Sequence, residues 1–102
     1  MRQRVKGVEM NKLDTLTIPR EMVPLVKSSL QLKKQALEFS LSKYRDRLSA
    51  FEQRYGMSSQ MFAAQFNAGE LGDDAHWFEW QYLLEAYQET LRQLELLETV
   101  RV

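Results

Sequence analysis

Residues 51–80 read FEQRYGMSSQMFAAQFNAGELGDDAHWFEW, and this stretch decides the fold. Two long polar-apolar helical patterns meet in it, and all but one of the glycines fall within it. A corner so dense in turn residues and large rings has to be a specified structure, because a plain linker does not carry so much apolar surface. Gly56 follows the last periodic residue of the preceding pattern, where a left-handed helix cap needs a residue without a side chain. Ser58 or Ser59 then caps a short helix, about 59–67, whose inward residues are Met61, Phe62 and Phe66. Asn67 and Gly69 close it, and Leu71 sits between Gly69 and Gly72. Asp73 and Asp74 offer acceptors to the free amides of a further helix, and their charge suits its positive end.

Upstream of the corner, the pattern predicts a long helix over about 22–54. Its inner stripe is Val23, Val26, Leu30, Leu37, Leu41, Tyr44, Leu48, Phe51 and Tyr55, in steps of three, four and seven. Such a near-3.5 period belongs to helices lying against one another as in a coiled coil. Lys34 interrupts the seam at its midpoint. Pro24 belongs in the first turn, since a proline deeper in a helix loses a hydrogen bond and clashes with the turn before it. Downstream, about 74–98 predicts a third helix, with Trp77, Trp80, Leu84, Tyr87, Leu91 and Leu94 keeping a three-four step. The fold class is therefore all-α: a long antiparallel helical hairpin with a short capping helix at the corner.

The chain has 102 residues, zero formal net charge and no cysteine. Its length allows one small domain. Charge balance argues against a generic polyanion binder, and the lack of cysteine removes disulfides, thiolate metal sites and thiol nucleophiles. No signal-like or membrane-spanning apolar run is present, which implies a soluble cytoplasmic protein. Residues 1–20 read as a flexible or partner-ordered arm and 21–102 as the hairpin domain. Within the arm, MRQRVKGVE is basic and patternless, while LDTLTI (residues 13–18) suits a short strand or an extended lead-in. Arg2, Arg4, Lys6 and Lys12 in this arm are the candidate phosphate contacts.

A helical hairpin buries one stripe per helix, and here apolar residues are left over. Leu25, Leu32, Ala36 and Phe39 lie nearly opposite the inner stripe of the first helix, and Leu83, Ala86, Leu94 and Leu97 lie off the seam of the third. These residues predict a partner-binding or dimer face, either for a self-dimer forming a four-helix bundle or for another protein. Alternatively, residues 8–20 fold back over it. Asp73, His76 and Glu79 fall near one helical face, as a metal site or proton relay would require. Two of them are in a first turn, where capping and the helix dipole already call for acids, and no further histidine or cysteine completes a set. No catalytic residue, metal or cofactor is assigned. Phe78 and Tyr82 lie off the seam and suit contact with the corner helix or a partner. The lysines and arginines of the first helix and the glutamates of the third suit weak cross-helix pairing.

The run from Phe51 through Glu95, with the lead-in TIPREMVPLV, resembles a group of small bacterial and archaeal helical proteins. Their pattern is an aromatic, then KYG-S, an aromatic, F-x-GELGDD and an acidic-aromatic EW. Phe51, Tyr55, Gly56, Ser58, Phe62, Phe66, Gly69, Glu70, Leu71, Gly72, Asp73, Asp74, Glu79 and Trp80 carry the match. The group is associated with genes beside small toxin genes, as antitoxins of toxin-antitoxin pairs. The resemblance implies a non-enzymatic interaction module that binds and blocks a cognate toxin. It supplies no catalytic motif. The alternative is a transcriptional regulator binding nucleic acid through the basic arm and dimer symmetry. Most matched positions are caps, turns and packing, so Tyr55, Gly56, Phe62, Phe66, Gly69, Leu71, Gly72, Asp73, Asp74, Trp77 and Trp80 are expected to build the corner.

Overall fold

The computed structural model describes residues 15–100, and every regular element among them is helical. Thr15 to Pro19 have no regular structure, so the strand considered for the lead-in is absent from its described part. A 3₁₀ turn, Arg20–Met22, leads into α1 (Val23–Tyr55), with Pro24 in the first turn where its missing N–H costs nothing. Gly56 ends α1 in the left-handed conformation, φ 66°, and its N–H donates to the Glu52 carbonyl at 2.9 Å. A Cβ there meets no neighbour, so the glycine is required by its backbone angle rather than by space.

α2 (Ser59–Asn67) starts where the Ser58 hydroxyl accepts the Met61 N–H at 3.1 Å. α3 (Ala75–Leu97) starts where the Asp74 carboxylate accepts the His76 N–H at 2.8 Å. Tyr55 packs on Trp77 at the closed end, while Leu30, Lys34 and Leu97 line one cleft at the other, so α1 and α3 run antiparallel. At 1.5 Å per residue, α1 projects roughly 15 Å beyond the last turn of α3.

The core lies at the corner. Leu48, Phe62, Trp80, Leu83 and Leu84 are buried together, with Tyr44, Phe51, Tyr55, Phe66, Leu71, Trp77 and Tyr87 packed around them. Trp80 is fully buried between two rings: Phe62 stacks 4.1 Å away on one side and Phe51 5.3 Å away on the other. Each such pair adds about 0.5–1.5 kcal/mol beyond area burial. Burying an indole also requires a partner for its N–H. The Ser59 hydroxyl accepts the Trp80 Nε1–H at 2.9 Å, and the Ser59 backbone N–H donates to Glu52 Oε2 at 2.9 Å. One serine thus ties all three helices together.

The inner stripe of α1 behaves as its period demands. Leu37 and Leu48 are buried and its other apolar members half-buried. Lys34 is half-buried too, beside Leu97. On α3, however, Leu83 is 1% exposed. Its assignment to an outer face is corrected: Leu83 is buried in one cluster with Leu48 of α1 and Phe62 of α2, so at the corner α3 needs a broader apolar stripe than a two-helix seam.

Candidate interaction face

Along the N-terminal half of α1, the side away from α3 is open among the described residues. Leu25 is 62% exposed, and Leu32 and Phe39 are 66% exposed. Ala36 is exposed beside them. Met22 and Ser29, not singled out by the sequence reading, are also exposed and complete the pattern. Met22, Leu25, Ser29, Leu32, Ala36 and Phe39 follow one another in steps of three, four, three, four and three. That is a heptad seam without a break, on the opposite side of the helix from the seam that α3 fills. Lys43 falls on the next step and ends it, with its ammonium 5.4 Å from the Phe39 ring centroid.

The third helix contributes less than expected. Besides the buried Leu83, Ala86, Leu94 and Leu97 are half-buried, and Leu97 lines shallow clefts against α1. One cleft of about 260 Å³ is lined by Lys33, Leu37, Gln93, Leu96, Leu97 and Val100. Leu96, which the helical seam did not include, is the α3 leucine most open to solvent there. Leu91, placed on the seam by its spacing, stands at its exposed rim. The apolar face consequently belongs to α1.

The corner residues occupy the turns and packing positions that the spacing predicts. Gly69 and Gly72 have φ of 74° and 80°, Leu71 packs on the core, and Asp73 is exposed. Phe78 meets Phe66 edge-on at 5.4 Å yet remains exposed, as does Tyr82. Asp73, His76 and Glu79 do not converge. His76 Nδ1 lies 3.2 Å from the Tyr55 hydroxyl and 4.0 Å from Asp74, while Glu79 accepts the Arg47 guanidinium at 2.7 Å. Among the described residues, no three histidine or acidic side chains gather as metal ligands. Arg47, Ala50, Phe51, Arg54, His76 and Glu79 line an open cleft of about 280 Å³. Its arginine-carboxylate pair is solvent-exposed and contributes little to holding the helices together.

Compared with protein-family models, curated proteins and solved structures, the chain matches none. The reading of this face therefore stands on its own geometry. Among the described residues, no helix is long and apolar enough to cross a membrane. Arg2, Arg4, Lys6 and Lys12, the candidate phosphate contacts, lie outside the described residues, as does the arm up to Asp14.

Among the described residues, two paired groups depart from their ordinary ionisation. Hydrogen bonds from Arg92 and Gln93 lower the Glu89 carboxyl from its usual 4.5 to about 2. The same bond raises Arg92. Both belong to the exposed side of α3 and leave the apolar face untouched.

Proposed function

We propose that this protein is a non-enzymatic interaction module of the cytoplasm, docking a protein partner on the outer face of α1. Its proposed mode of action is that of an antitoxin, blocking a cognate toxin sterically. The observation carrying this reading is the run Leu25, Leu32, Phe39, three large apolar side chains about two-thirds exposed on one face of a projecting helix. Leaving such surface in water is unfavourable, and contiguous apolar patches on small chains mark sites of association. The antitoxin character rests on the resemblance carried by the corner motif, whose residues are otherwise accounted for by packing. A steric blocker needs no reacting group, and His76 and Glu79 meet different partners, Tyr55 and Arg47, while Asp73 stands exposed.

The test is co-expression with the small protein encoded by the adjacent gene, followed by purification of the complex. Leu32→Glu and Phe39→Glu are expected to abolish co-purification and rescue from toxicity while leaving helicity intact. A Leu32→Glu chain that still carries its partner through purification removes this face from the mechanism.

A further inference from the structure

The outer seam of α1 has a second property beyond being apolar: its residues alternate in size. Leu25, Leu32 and Phe39 form one set, and Ser29 and Ala36 fill the positions between. Two parallel copies set in register place every residue against itself, so that leucine faces leucine and serine faces serine. Large layers then hold the helices apart over the small ones and leave voids, which are costly. Reversing one copy about the point between Leu30 and Gln31 changes every layer. Leu25 then meets Ala36, Leu32 meets Ser29 and Phe39 meets Met22 at each end. Large side chains enter spaces left by small ones, and the flexible Met22 adapts to the ring of Phe39.

We infer that α1 pairs antiparallel with α1 of a second copy of this chain, through the seam from Met22 to Phe39. This goes beyond docking of a different protein, although both occupants use the same face and therefore compete for it. Three further observations agree. No charged residue stands on the seam until Lys43, as suits the desolvated centre of an interface. The same register keeps Lys43 of each copy outside the apolar layers, near the level of Arg20 and Glu21 in the other. Shifting the register by one heptad toward the corner instead sets Lys43 against Leu25 and draws a charge into the apolar seam. Finally, among the described residues α3 lines the other side of α1 while Leu25, Leu32 and Phe39 stand in solvent.

The seam is about 26 Å long on one helix. A strip that long and one helix diameter wide covers roughly 300 Å², short of the roughly 800 Å² per partner of a standard stable interface. A pair of so little area is accordingly weak and reversible. A small surplus of binding energy also lets a tighter partner displace the second copy.

Sedimentation equilibrium of the purified full chain, from ~10 μM to ~1 mM, reads this without any partner present. The apparent mass is expected to rise from one chain towards two, and Leu32→Glu to weaken pairing by about 30-fold or more at unchanged circular dichroism. The chain has no cysteine, so Ser42→Cys introduces a single site for a nitroxide label. In the antiparallel pair, Ser42 lies opposite residue 19, giving a label separation of about 35 Å, against a far shorter one in a parallel pair. A monomer throughout that range overturns the inference. A dimer that survives Leu32→Glu, or whose labels are close together, overturns it equally. These results concern the isolated chain, so failure here leaves the docking of another protein to be decided by co-purification.

Discussion

The corner and the projecting end of α1 are built from the same kind of pattern, apolar residues at helical spacing, and meet opposite fates. At the corner, α2 and α3 close over α1, and Phe62 and Trp80 lose all contact with solvent. At the other end α3 covers only one side, and Leu25, Leu32 and Phe39 keep about two-thirds of their surface in water. Apolar periodicity states which residues want burial. The number of neighbours within reach decides which of them obtain it. One end of this molecule accordingly holds its buried core, and the other carries apolar surface exposed to water.

The sharpest way to break that comparison is to truncate at each end. Trp80→Ala removes a ring stacked on both sides and is expected to cost about 3–5 kcal/mol, measured by chemical denaturation. Leu32→Glu, equally drastic in the helical pattern, is expected to change monomer stability by no more than about 0.5 kcal/mol. Similar losses from the two would mean that the seam of α1 is covered in the monomer. A smaller effect probes how the corner is specified. Ser59→Ala leaves the Trp80 indole N–H buried without its acceptor, and about 1–3 kcal/mol should be lost in the same measurement. A neutral outcome would show that packing alone holds the three helices.

The smallest expected effect lies outside both regions. Glu89 is ionised more readily in the folded chain than in the unfolded one, because Arg92 and Gln93 donate hydrogen bonds to it. Its contribution to stability is therefore present above its usual 4.5 and disappears as the pH falls through about 2. Thermal unfolding followed over that window should show a slightly shallower pH dependence for Glu89→Gln. Full exposure and solvent screening keep the difference small. An unchanged pH profile would mean that this side-chain cluster is not maintained in solution.

Much of the helical framework was legible because its ends are chemically marked. Ser58, Asp74 and Gly56 cap through local hydrogen bonds and a positive φ, so α2 occupies the expected 59–67 and the long helices begin and end within a residue of expectation. Exposure of Leu25, Leu32 and Phe39 was equally readable, since each lies opposite a stripe that one neighbour suffices to fill. Leu83 was not. Its burial depends on α2 arriving at the corner to give α3 a second surface, and spacing along α3 alone carries no trace of that arrival. The Glu52–Ser59–Trp80 connection was hidden for the same reason, because its members are 7 and 21 residues apart and meet only once the corner has closed.

By itself, then, the sequence determined what is local: where helices start and stop, which face of each is apolar, and that no thiol chemistry is available to the chain. Caps and periodicity act over one or two turns, within reach of a single segment. Only the tertiary structure decided which apolar faces are satisfied. Burial depends on how many helices converge at a given level, and α3 ends before it can accompany α1 to its start. The unbroken seam from Met22 to Phe39 faces away from α3, so the one long neighbour within reach leaves it uncovered.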